Sequence, residues 1–217
     1  LSARDQHGEP QGDTNRPFVG RGGLKLQHAL SEFGIDPRGW VCADFGCNVG
    51  GFTDCLLRAG AARVYALDTG YGALAYTLRI DPRVVAMERT NALHADPPAE
   101  GPVDLVVMDL AWTPQRLCIP AALRWLRAGG RMISLVKPHY EATHGPEKGE
   151  LVGGVLPEAA ALATLDRVLA EFPALGVRML GVTRSPILGG AGKKRASGNI
   201  EFLALLEPAA GAAAAGR

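Results

Sequence analysis

With 217 residues, 47% of them hydrophobic, the chain can bury one sizeable core, and a single α/β domain is the simplest partition. A balance of 23 basic against 22 acidic residues leaves a formal charge of +1, which excludes a global field for nucleic acid and leaves any such binding to a local patch. No window is apolar for the length of a membrane span, no basic-then-apolar leader precedes the domain, and the cysteines (Cys42, Cys47, Cys55, Cys118) lack the paired spacing of a zinc site, so reduced core thiols in a cytoplasmic protein are expected.

Residues 1–19 are polar, rich in turn formers and without periodicity, which predicts a flexible arm that carries no core. A first helix is expected over 22–33, where Leu26, Ala29, Leu30 and Phe33 repeat at the spacing of a buried stripe. From there strands are expected at 40–45, 63–68, 84–88, 104–110, 131–137, 177–184 and 199–206. Helices are expected at 52–59, 72–79, 114–127 and 157–172. The alternation implies a doubly wound sheet, its early strands parallel and covered on both faces. The domain is expected to span 20–208, with an Ala/Gly tail at 209–217. In such sheets ligands lie beyond the carboxyl ends of the strands, so residues that end strands are where chemistry is sought.

The stretch "VCADFGCNVGGFTDCLL" passes from a strand through Asp44, Gly46, Gly50 and Gly51 into a helix. It is not a P-loop, because Phe52-Thr53-Asp54 stands where a lysine and hydroxyl would grip phosphate. Nor does it match a dinucleotide fingerprint: an acid precedes the first glycine, and a carboxylate there would repel a pyrophosphate. It suits a ligand with an ammonium group, no phosphate, and a carboxylate free to meet backbone donors at the helix start. S-adenosylmethionine has those features, and Asp68, ending the next strand near the ~20-residue interval, is set to reach ribose hydroxyls. The alternative is a turn that uses glycine only for tight packing.

Three charges are embedded in apolar strands: Asp109 after "LVVM", Lys137 after "MISLV", and Glu201 within "NIEFLALL". Burial of that kind is costly unless the charges meet one another or a ligand. Lys25, in "GRGGLKL", reads singly as a solvated helix lysine.

In order along the chain, "RGGLKL", "DFGCNVGGFTDCLL", "VYALDTGYGALAYTLRIDPRV", "ERTNA", "LVKPHYEA" and "NIEFLALL" resemble the TlyA/hemolysin-A branch of the FtsJ-like ribosomal RNA 2′-O-methyltransferases. The resemblance implies a Rossmann-like class I S-adenosylmethionine-dependent methyltransferase fold, with a seven-stranded, mostly parallel sheet and helices on both faces. It carries the family's catalytic tetrad onto Lys25, Asp109, Lys137 and Glu201. Its cofactor contacts fall on Gly46, Asn48, Gly50, Phe52, Asp68, Asn91 and Asp109. RNA, ribosomal RNA or ribosomal subunits above all, is the implied partner. A ribose hydroxyl is a poor nucleophile and the sulfonium methyl is already activated, so the enzyme must align the two and remove one proton. Lys137 is the candidate base or hydroxyl orienter, Lys25 and Glu201 are its positioning partners, and Asp109 bridges cofactor and tetrad.

The chain departs from that pattern in places. Gly20 stands where relatives carry a capping serine, "LAWTPQ" replaces the usual run after Asp109, and the N-terminal RNA-binding domain common in relatives is not expected ahead of Arg21. Trp112 could stack on a base, although packing is the commoner fate of an aromatic at a helix start. Arg16, Arg21 and the run Lys193-Lys194-Arg195 are candidate phosphate contacts. The loop 140–156 is long enough to be a lid, and His139 and His144 lack the third ligand of a metal site. Two other functions compete with RNA methylation: a non-catalytic RNA- or ribosome-binding protein that kept the fold, and a small-molecule methyltransferase, which would leave two strand-end lysines without a role.

Overall fold

The computed structural model describes residues 17–190 and 198–210; the candidate contacts Arg16 and Lys193-Lys194-Arg195 lie outside the described residues. The sheet comprises β1 (Val41–Phe45), β2 (Arg63–Leu67), β3 (Val84–Met87), β4 (Val103–Met108), β5 (Leu126–Val136), β6 (Val177–Arg184) and β7 (Phe202–Pro208). Their spatial order is β3-β2-β1-β4-β5-β7-β6. The first five run parallel, and β7 enters antiparallel between β5 and β6.

The pleat divides the core into two layers, because successive side chains of a strand face opposite sides. Ala43, Phe45, Val106, Met108, Met132 and Val136 face the layer covered by α4 (Gln115–Leu123) and α6 (Glu158–Glu171). Cys42, Leu105, Val107, Ile133 and Leu135 face the layer covered by α1 (Gly22–Glu32) and α2 (Gly51–Arg58). Strands buried this way on both faces must be continuously apolar, which is why their sequences show no alternation. No helix among the described residues is long and apolar enough to cross a membrane.

Four elements differ from expectation. Phe18 does not belong to a coreless arm: it is buried in the α1–α2 layer, seated where a Cβ on Gly23 would lie 2.3 Å from its ring. The second expected helix is as predicted, but the third, α3 (Tyr76–Arg79), is a single turn, since Gly72 has a positive φ and Ala75 is extended. The fourth helix stops at Leu123, because the fully buried Trp125 packs edge-on against Phe45 at 5.2 Å and Leu126 already pairs with Val103. β7 starts three residues late, as Asn199 is diverted to a bridge with Gly189 and its side chain binds the N–H of Leu156 and the carbonyl of Gly154.

Candidate active site

The parallel strands deliver their last residues to one edge. There the β1–α2 turn needs left-handed backbone at Gly46 (φ +85°), Asn48 (φ +47°) and Gly50 (φ +100°), a conformation that glycine adopts freely and asparagine tolerates. The amides of Gly46 and Cys47 both donate to the carbonyl of Leu67, at 2.8 and 2.9 Å, which bends the turn toward β2. A Cβ on Gly46 would lie 2.9 Å from the carbonyl oxygen of Asp109, so the turn and the end of β4 touch through backbone.

The segment leading into α1 closes over this turn. The amide of Val19 donates to Asp54 Oδ2 at 2.9 Å, and Arg58 both bonds Asp54 Oδ1 at 2.7 Å and lies over the ring of Phe18. A Cβ on Gly51 would lie 2.9 Å from the amide nitrogen of Gly23, so here too backbone meets backbone. This strap carries Arg21, which donates to the carbonyl of Leu188 at 3.0 Å, and delivers Lys25. α1 has no side-chain cap, and its N-cap residue is Arg21 rather than Gly20.

Two cavities adjoin at this edge. One, of about 480 Å³, is lined by Gly46, Asn48, Asp68, Thr69, Thr90, Asn91, Asp109 and Thr113, with Leu93 and Leu110. The other, of about 260 Å³, is lined by Gly20, Arg21, Gly22, Gly46, Asn48, Gly51, Phe52, Asp109 and Lys137. Gly46, Asn48, Asp109 and Ala111 belong to both. Asp68 accepts the amides of Asn48 at 2.8 Å and Gly70 at 2.7 Å. A carboxylate offers about four lone-pair sites, so it keeps two free to accept further donors.

Lys137 Nζ lies 2.5 Å from Asp109 Oδ1 and donates to the carbonyl of Leu110 at 3.2 Å. Lys25 Nζ donates to Glu201 Oε2 at 2.6 Å in a pair whose members are 8% and 3% exposed. The solvated reading of Lys25 is therefore set aside. The pairs are neighbours: Val136 on β5 pairs with Phe202 on β7, so Lys137 and Glu201 continue adjacent antiparallel strands. Tyr140 feels the charges of Glu201, Asp109 and Lys25, and its hydroxyl is pushed up, chiefly by burial. His139, buried against the Tyr140 ring at 4.1 Å, is held down at about 4 by burial and by Lys137 and Lys25, and is neutral at physiological pH. Trp112 is exposed rather than packed in the core, with its ring 4.4 Å from that of Tyr140.

Two of the expected cofactor contacts are corrected. Asp44 is fully buried and lines neither cavity, since it shares the pleat face of Cys42 and points beneath α2. There its Oδ2 accepts the hydroxyl of Thr53 at 2.7 Å, its Oδ1 has no partner, and burial pushes its carboxyl up to about 7. Gly50 lines neither cavity either; it makes room for Leu78 and Leu74, which would lie 2.2 and 2.8 Å from a Cβ. The loop 140–156 is pinned down rather than open. Glu147, buried, pairs with Arg167 of α6 at 3.1 Å, and short 3-10 turns occupy Ala142–His144 and Pro146–Glu150. Sequence reasoning missed Thr69, Thr90 and Thr113 as lining residues. Their signal is positional, a small hydroxyl a few residues past the end of β2, β3 and β4.

The profile of the family described as FtsJ-like methyltransferase matches residues 18–204. The chain is 42% identical over 193 residues to the 16S/23S rRNA (cytidine-2′-O)-methyltransferase TlyA of Mycobacterium tuberculosis strain H37Rv, covering 88% of this chain and 68% of that one. It is 40% identical over 188 residues to the Bacillus subtilis protein named "Putative rRNA methyltransferase YqxC", covering 86% and 64%. It thus spans about two thirds of the length of these relatives. Among solved structures, one named "Putative hemolysin from Streptococcus thermophilus" superposes with a TM-score of 0.81 at 37% identity, covering 91% of this chain and 69% of that one.

Proposed function

The chain belongs to the FtsJ-like methyltransferase family, and from that premise we propose that it transfers a methyl group from S-adenosylmethionine to a ribose 2′-hydroxyl of RNA, with ribosomal RNA as the substrate. The observation that carries this reading is the Lys137–Asp109 contact at the junction of the two cavities, with the Lys25–Glu201 pair on the neighbouring strand. A 2′-hydroxyl needs a partner for its proton and a fixed line of approach, and two lysines each paired with a carboxylate supply both.

Asp68 would hold the ribose of the cofactor, Asn91 and Leu93 would border its base, and the backbone of the 46–51 turn would receive its amino-acid end. Bound there, S-adenosylmethionine supplies an electrophilic methyl group on a sulfonium. The protein's task is then positional. Asp109 and the carbonyl of Leu110 aim Lys137, which orients the 2′-hydroxyl and, once its ammonium has given up a proton to solvent, receives the hydroxyl proton on its neutral amine. Glu201 fixes Lys25 beside it. Asp44 acts from below by bracing the first turn of α2 through Thr53.

The test is incubation with methyl-labelled S-adenosylmethionine and unmodified ribosomes, free subunits, ribosomal RNA or tRNA, followed by mapping of 2′-O-methyl positions. Label at a ribose of ribosomal RNA, lost in Lys137→Ala while cofactor binding persists, is the expected result. Normal cofactor binding with no transfer to any RNA overturns the reading in favour of a scaffold or a small-molecule substrate.

A further inference from the structure

One buried carboxylate links the segments that carry Asp109 and Lys137 without lining either cavity. α4 begins after Pro114 with no side-chain cap. The amide of Gln115, its first residue, instead donates to Glu141 Oε1 at 2.8 Å, across 26 residues of sequence. Glu141 is 6% exposed and ends α5 (Pro138–Glu141), the turn that starts immediately after Lys137. Its own amide returns to the carbonyl of Lys137 at 3.1 Å, and its carbonyl accepts from Arg167 at 3.4 Å.

The side chain of Gln115 completes the link. Its Nε2 donates to the carbonyl of Leu135 at 3.3 Å, and its Oε1 accepts the hydroxyl of Ser134 at 2.6 Å. Glu141, Gln115 and Ser134 are all buried. Together they fasten the last residues of β5 and the start of α5 to the start of α4, and so fix the far end of the loop 109–114, whose near end continues from β4. That loop supplies Asp109 and the Leu110 carbonyl, the two groups that hold Lys137.

We infer that Glu141 is a positioning residue for the methyl transfer: its carboxylate caps α4 from a distant segment and thereby sets the register between Asp109, Leu110 and Lys137. This role presupposes the transfer reaction proposed above, yet its geometric content is independent of the substrate. Leu110, Ala111 and Thr113 also line the larger cavity, so a loosened loop would be felt by the cofactor as well.

The experiment compares Glu141→Gln, which keeps an acceptor of the same size, with Glu141→Ala and Glu141→Met, which remove it; the methionine variant fills the space should the alanine variant fail to fold. Misplacement on the ångström scale can cost about a hundredfold in turnover, so kcat for RNA methylation should fall by that order in Ala and Met while KM for RNA stays within about threefold. S-adenosylhomocysteine affinity measured by calorimetry should weaken, with roughly five- to tenfold as the ceiling set by transmitting the whole free energy of one cap to the cavity. Glu141→Gln should restore both. Amide hydrogen exchange of 110–113 should rise in Ala and Met and not in Gln. Unchanged kcat and exchange in both Ala and Met, or a Gln variant as impaired as they are, overturns the inference. If the parent protein methylates no RNA, the function assigned above fails, and the affinity and exchange readouts still decide the role of Glu141.

Discussion

Replacing Glu201 by alanine tests the buried pair on which the site is built. Lys25 is 8% exposed and Glu201 3%, their contact is 2.6 Å, and a Cβ on Gly189 would lie 2.0 Å from Glu201 Oε1, so the carboxylate is walled in by backbone. Removing it leaves an ammonium with little access to water and no partner, which costs about 3–5 kcal/mol in comparable settings. Against a total stability of about 5–15 kcal/mol this is a large fraction. At about 2–4 °C per kcal/mol for a chain of this size, the melting temperature should fall by roughly 6–20 °C. The double variant Lys25→Met/Glu201→Leu removes both charges and fills their space, so it should recover wild-type stability or exceed it while remaining inactive. Urea and thermal unfolding with two probes, together with methyl transfer, measure both effects. A loss below about 1 kcal/mol in Glu201→Ala, or a double variant as unstable as the sum of its singles, would refute the reasoning.

Other consequences are open to measurement. Gly189→Ala forces its new methyl into Glu201, so it should reproduce the activity loss of Glu201→Ala without touching a charge, as a transfer assay would report. Asp44, raised by burial to about 7, contributes stability that is present below its ordinary value near 3.8 and is lost as pH rises through about 7. Asp44→Asn should therefore gain on wild type between pH 4 and 8, by an amount on the order of 4 kcal/mol; parallel urea curves at each pH would sink that prediction. His139, lowered to about 4, works in the opposite sense, its contribution complete above its ordinary 6.5 and lost as pH falls through about 4. The difference between wild type and His139→Phe should thus change across pH 6.5 to 4 and stay flat above 7, and a flat difference throughout would show that His139 has no such linkage.

The order of elements was legible in the sequence because both periodicities were present: continuous apolar runs for strands covered on two faces, and a spaced stripe for α1. Boundaries failed where a single tertiary contact overrode local preference, as Trp125 did by pulling the chain into β5. The four charged residues were conspicuous individually, but pattern alone could not say which lysine meets which acid. That follows from β7 running antiparallel, which sets Glu201 beside Lys137 and within reach of Lys25. Asp44 misled because an acid before a glycine turn looks the same whether it faces the ligand or the helix behind it; the pleat decides, and one residue of register changes the answer. Glu141 gave no signal, since a cap supplied from 26 residues away leaves no local motif.

The position of β7 has a consequence for biosynthesis. β6 is made first yet joins the sheet only through β7, which must slot between it and β5. Lys25 emerges from the ribosome 176 residues ahead of its acid and must wait for it. A nascent chain that lacks β7 can form the glycine turn but leaves a buried cation unmatched and an edge of β5 open, so the Lys25–Glu201 pair closes only once β7 has been made.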